Sequence, residues 1–200
     1  MNQCVKTMMT GLGLLALAGQ TTALATVLMS LEPVSQTIQK NQSAQLDVMI
    51  SNIPDNQAVG AFDLTLKYDG SILTATDFDF GTDLDLGIFG STQDLDLTKP
   101  GVFALEVSLE ESAALLAAQP KSFRLGTITF KGIGEGTSPI GLDLAHPSTL
   151  SDQDAISIPF DFVGARITVE GSSGVPDGGS ALALLLPALF GLGLIRQARR

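Results

Sequence analysis

The chain is 200 residues long, 44 % hydrophobic and only 16 % charged, with 11 basic against 21 acidic side chains. Thr26 to Gly174 holds 20 acids and 7 bases, a balance of −13. With no Lys/Arg patch to neutralise phosphate, such a stretch repels nucleic acid and anionic lipid faces. One cysteine, Cys4, and one histidine, His146, exclude a disulfide framework and any zinc site built from several Cys or His.

Met1 to Ala25 reads as a secretory signal peptide. Lys6 gives the positive start, and Met8 to Ala18 is an apolar run with Leu12, Leu14, Leu15 and Leu17. Ala23-Leu24-Ala25 is a small-x-small cleavage site that leaves Thr26 as the new N-terminus. The run is short for a bilayer span, which makes an uncleaved anchor the weaker reading. Cys4 leaves with this segment, so the exported domain has no thiol and folds on its core alone.

From Thr26 to Glu170 the signal is alternation with period two, the pattern of strands that bury one face. Leu46, Val48 and Ile50 alternate with Gln45, Asp47 and Ser51. Phe62, Leu64, Leu66 and Tyr68 alternate with Asp63, Thr65, Lys67 and Asp69. Phe103, Leu105, Val107 and Leu109 are assigned to the buried face, against Ala104, Glu106 and Ser108. Ile140, Leu142 and Leu144 continue the series, then Ile156, Ile158, Phe160 and Phe162, then Ile167 and Val169. Thr26 to Glu32 is a less regular strand.

Turn residues separate these runs at 52–56, 69–70, 99–101, 132–136 and 151–154. Phe123 to Lys131 changes phase between Leu125 and Ile128, and Gly126 marks the expected β-bulge. Glu110 to Gln119 is rich in Ala and Leu, with acids at its start and Pro120 behind it. It predicts one short helix that has to pack on the sheets. Many short strands with turns between them indicate an all-β sandwich or barrel.

Asp77, Asp79, Asp83, Asp85, Asp94 and Asp96 crowd one stretch. The first four are the candidate Ca²⁺ ligands, since closely spaced oxygens suit a hard cation. The competing reading makes them wet faces of strands and loops that shield a sheet edge, because Phe78, Phe80, Leu84 and Leu86 alternate with them. No EF-hand loop is present, and no metal is assigned. His146 sits in a loop-like Ala145-His146-Pro147, with no G-x-S-x-G elbow, and no catalytic residue is assigned. Acids are numerous enough for a glycosidase pair, but no spacing singles one out. Trp is absent, and Tyr68 follows the inward phase. A flat aromatic sugar platform is thus unsupported, while a polar groove for polysaccharide stays open.

Gly171-Ser172-Ser173-Gly174 is a flexible linker. Beyond it, Val175-Pro176-Asp177-Gly178-Gly179-Ser180 is a short polar motif, Ala181 to Ile195 carries no charge, and Arg196, Arg199 and Arg200 form a basic stop. The uncharged run makes about 22 Å of helix against a hydrocarbon core of about 30 Å. That length suits a transient inner-membrane anchor, with the arginines cytoplasmic and the β domain outside.

The stretch Val59 to Leu73, with Phe62-Asp63-Leu64-Thr65-Leu66-Lys67-Tyr68-Asp69-Gly70, resembles the early signature of cohesin-type domains. Leu125 to Phe130 with Gly132 to Ile140 resembles their later strand and glycine turn, and Gly164 to Val169 their closing strand. The resemblance spans most of residues 26–170. It implies a jelly-roll sandwich, related in fold to some carbohydrate-binding modules; with the helix read from Glu110 to Gln119, the expected fold is an antiparallel jelly-roll β-sandwich of about nine strands with one short helix. The signal peptide and the tail would add an N-terminal and a C-terminal hydrophobic helix. In cellulosomes such domains bind dockerins. The helix before Phe123 is not part of the plainest cohesins.

The tail resembles PEP-CTERM sorting signals, read by exosortases in Gram-negative bacteria with exopolysaccharide systems. Val175-Pro176-Asp177 stands where the usual motif has Val-Pro-Glu-Pro. The combined expectation is an exported, non-enzymatic adhesion or scaffolding protein of the outer envelope or extracellular matrix. Its implied partners are an exosortase-type processing enzyme, an extracellular protein or polysaccharide and, transiently, the inner membrane. A secreted glycan-acting hydrolase and a Ca²⁺-stabilised structural module are the alternative readings.

Overall fold

The computed structural model describes residues 26–98 and 101–171. The expected signal helix, residues 172–174 of the linker, the sorting motif, the hydrophobic helix and the basic stop lie outside the described residues. The elements run β1 (Val27–Glu32), β2 (Ser35–Gln39), β3 (Ser43–Ser51), β4 (Val59–Lys67), β5 (Leu73–Phe80), β6 (Ser91–Asp96), β7 (Gly101–Ser108), α1 (Ser112–Ala118), β8 (Phe123–Gly132), β9 (Gly136–Leu142), β10 (Thr149–Asp152), β11 (Phe160–Val163) and β12 (Ala165–Glu170).

Two sheets face each other. One has the order β11-β1-β3-β8-β5, the other β2-β12-β9-β4-β7-β6, with β10 also paired to β4. Their inner faces supply one core. Met29, Leu31, Leu46, Val48, Ile50, Leu125, Ile128 and Phe130 come from the first sheet; Phe62, Leu64, Leu66, Val102, Ile167 and Val169 come from the second. Tyr68 belongs to this core, its ring edge-on to Phe130 at 5.2 Å, and its hydroxyl accepts the Ala75 N–H at 3.2 Å.

The sandwich is not purely antiparallel. β1 pairs with β11 in parallel, and β12 pairs with β2 in parallel. Both ends of the domain change sheets. The first strand path breaks at Pro33, which has no N–H for a ladder, and passes from β1 in one sheet to β2 in the other. The last path breaks at Gly164 between β11 and β12, where a Cβ would run into the Ile140 carbonyl. These two breaks place the terminal segments side by side. They also account for much of the excess of twelve strands among the described residues over the expected nine or so. Inward–outward alternation is the same for parallel and antiparallel partners, so parity alone carries no direction.

The bulge expected near Gly126 is present. Val48 pairs with Gly126 and Met49 with Arg124, leaving Leu125 unpaired. The Phe78 ring occupies the space that a Cβ on Gly126 would need.

Other expectations are corrected. Leu144 and Ile156 are exposed and lie in loops, because β9 ends at Leu142 and β11 starts only at Phe160. The helix is shorter than Glu110–Gln119, and Glu110 turns away from it. Gln119 follows the helix and is buried; its amide bonds both the N–H and the C=O of Val59 and the carbonyl of Asp83. That fixes α1 against the start of β4.

The main correction is the phase of β7. Val102, Ala104 and Glu106 face the core, while Phe103 and Leu105 are half-buried on the outside and Val107 and Leu109 are exposed. The cause is register. Ala104 lies opposite Leu64, Glu106 opposite Phe62 and Val102 opposite Leu66. Directly opposed residues share a face, so the large inward side chains of β4 turn Ala104 and Glu106 inward beside them.

Candidate functional site

The inversion of β7 puts an apolar row on the outside of a sheet. Phe103, Leu105 and Val107 stand there beside Thr65, Asp63 and Ala61 of β4 and beside Asp96, Asp94 and Thr92 of β6. The loop between β9 and β10 closes one side. Its Asp143 N–H donates to the Thr65 carbonyl at 2.9 Å, and Ser148 Oγ accepts the Thr65 N–H at 2.9 Å. The loop thus caps backbone groups of β4 that lack a strand partner there. An open groove of about 640 Å³ results, lined by Asp63, Thr65, Lys67, Asp96, Phe103, Asp143, His146 and Pro147 among others.

The electrostatics of this groove are acidic. Burial raises the pKa of Asp63. Asp143 is held below the ordinary carboxylate value, first by its hydrogen bond with His146 and then by the Ala145 N–H. His146 Nδ1 lies 2.9 Å from Asp143 Oδ2, and its side chain is largely exposed. The histidine is a loop residue, as its sequence context predicts. Among the described residues the groove therefore offers apolar side chains, carboxylates at its rim and one ammonium, Lys67. It can seat an apolar segment that carries donors or positive charge.

On the inner side of the same strand, Glu106 is fully buried. Its Oε1 accepts from Ser91 Oγ at 2.7 Å and from Gln93 Nε2 at 2.9 Å, while Oε2 has no partner. Burial raises its pKa, against the lowering effect of the Gln93 and Ser91 hydrogen bonds. These bonds tie β6 to β7 and hold the outer edge of the groove.

The sequence-predicted calcium candidates are not brought together. Asp77 and Asp79 lie on β5 and are exposed; Asp83 and Asp85 follow in the next loop. Among the described residues no group of three or more Asp, Glu, His or Cys side chains is placed to hold a metal. Asp85 instead accepts the Gly87 N–H at 2.8 Å, and Asp79 faces Arg124 at 3.7 Å. β5 and β6 are terminal strands of their sheets, so Asp77, Asp79, Asp94 and Asp96 all sit on sheet edges.

The outward apolar row is not legible in the sequence. Val102-Phe103-Ala104-Leu105 is apolar in both phases, so periodicity cannot choose the inward one. Only the pairing with β4, which sets Ala104 opposite Leu64, decides between the phases.

No curated protein matches the chain by sequence. Residues 174–199 match the VPDSG-CTERM motif, with Gly178 where that motif's name has Ser. The fold matches a type II cohesin domain from the cellulosome of Acetivibrio cellulolyticus at 20 % identity, over 72 % of this chain and 95 % of that one, with TM-score 0.59. It also matches a type I cohesin–dockerin complex from Clostridium thermocellum at 14 % identity, over 73 % of this chain and 100 % of that one, with TM-score 0.58. A non-cellulosomal cohesin from Archaeoglobus fulgidus is similar at 14 % identity, over 74 % of this chain and 94 % of that one, with TM-score 0.55. The chain thus joins a β-sandwich of cohesin fold to a C-terminal VPDSG-CTERM motif.

Proposed function

We propose that this is an exported, non-enzymatic binding module of the cell envelope or extracellular matrix, sorted by an exosortase-type enzyme that reads Val175 to Ser180. Its binding face is the outside of β4, β7 and β6. The observation that carries the binding reading is the outward row Phe103, Leu105 and Val107, with Asp63 set into it. An apolar row on the outside of a sandwich keeps part of its surface in solvent and lies outside the core, which is what a docking surface requires. The dockerin complex among its structural neighbours supports a protein as the partner class. The acidic rim favours a partner segment with Lys, Arg or hydroxyl donors around an apolar centre.

Two measurements test the proposal. Capture from the producing organism's matrix, with the secreted protein as bait, should recover a protein partner, and recovery of nothing would count against it. Intact mass should show a secreted species that starts at Thr26 and ends between Val175 and Ser180; retention of Arg200 would contradict the sorting step.

A further inference from the structure

A second apolar feature lies between β5 and β6. Ile88 and Phe89 are 69 % and 60 % exposed, and Leu109 is 54 % exposed. Leu109 belongs with them, since its N–H donates to the Gly90 carbonyl at 2.9 Å. This tip is held firmly. Glu110 Oε1 accepts the N–H groups of Ile88, Phe89 and Gly90 at 3.0, 3.1 and 3.2 Å. Gly87 and Gly90, both at φ 80°, turn the chain on either side of the two apolar residues.

Glu110 itself is buried. Burial works against its charge, but the backbone donors outweigh it and hold its pKa below the ordinary value. A carboxylate withdrawn from water is expensive for a fold to keep. Here it orders a tip whose apolar side chains are left in solvent, where they add nothing to the core. A rigid tip loses little entropy on binding, and this is the use such an arrangement serves.

The surroundings select the partner. Asp83 and Asp85 precede the tip in the same loop, Asp85 Oδ1 accepting the Gly87 N–H at 2.8 Å, and residues 77–96 contain no Lys or Arg. A second copy would bring the same negative charge, and an anionic membrane would repel it. We infer that Ile88, Phe89 and Leu109 form a pre-ordered apolar plug for a protein partner whose pocket is apolar at its base and rimmed by Lys or Arg. This inference stands apart from the groove on the outside of β4 and β7.

The test is selection of a random-peptide phage library on the secreted protein. Enriched peptides should carry aromatic or aliphatic residues flanked by Lys or Arg. A synthetic peptide of that kind should bind about tenfold more weakly to an Ile88→Ser/Phe89→Ser variant, and unchanged to Phe103→Ser/Leu105→Ser. Glu110→Gln, which keeps the apolar side chains, should weaken it too, with faster amide exchange at residues 88–90. No enrichment, peptides without basic residues, or equal affinity for the tip variant would each overturn the inference. So would tip-dependent binding to phosphatidylcholine vesicles, or self-association that the tip variant abolishes.

Discussion

On the outside of the β11-β1-β3-β8-β5 sheet, Arg124 lies 3.9 Å from Asp47 and 3.7 Å from Asp79, and Thr127 bonds both Arg124 and Asp47. On the outside of the other sheet, the equivalent central strand presents Phe103, Leu105 and Val107. One face pairs Arg124 with Asp47 and Asp79. The other leaves apolar area and half-buried Asp63 uncompensated. The contrast teaches that the two faces of this sandwich differ in chemical character although both arise from the same alternation. The difference is set by one strand's phase, and that phase is set by the side chains of its neighbour.

Substitutions on the two faces should therefore behave oppositely. Phe103→Ser with Leu105→Ser should lower partner affinity about a hundredfold. The folding cost should stay near 1 kcal/mol, because both side chains are only half-buried. Binding and urea-denaturation measurements on one preparation would separate the two effects. Gly126→Ala should do the reverse: a Cβ there meets the Phe78 ring, and the variant should lose about 2 kcal/mol in the same denaturation experiment while its affinity once folded is unchanged.

A subtler probe sits under the apolar row. Burial raises the folded-state pKa of Glu106 above its ordinary 4.5. The folded protein then holds this proton more tightly than the unfolded chain does. Stability is consequently lost as pH rises from 4.5 through the raised folded value, and the loss is complete above it. Glu106→Gln removes that loss, so its Tm relative to the parent should rise between pH 4 and pH 8. A gap that stays constant across this range would show that Glu106 is not destabilised by burial. The smallest effect belongs to the polar face. Arg124→Ala should change stability by less than about 1 kcal/mol, because its ion pairs are long and substantially exposed.

Much of this architecture was legible in the sequence. Where one phase is strongly apolar and the other strongly polar, as at Leu46-Asp47-Val48 or Phe62-Asp63-Leu64, inward and outward sides were read correctly. The bulge at Leu125 and Gly126 announced itself by a phase change. The parallel pairs at the domain's ends were not legible, because direction leaves no mark on alternation. β7 was misread because apolar residues occupy both of its phases, and only the register with β4 decides between them. The candidate groove was hidden for the same reason. A rule that sends apolar residues inward conceals a strand that presents them outward.

Paired capture tests most directly whether the outside of β4, β7 and β6 is the binding face. The secreted parent, its Phe103→Ser/Leu105→Ser variant and its Arg124→Ala variant would each be offered to the same matrix extract. Bound protein would be quantified by mass spectrometry. The partner should be recovered equally by the parent and Arg124→Ala, and lost from Phe103→Ser/Leu105→Ser. Equal recovery by all three, or loss only from Arg124→Ala, would contradict the binding-face assignment.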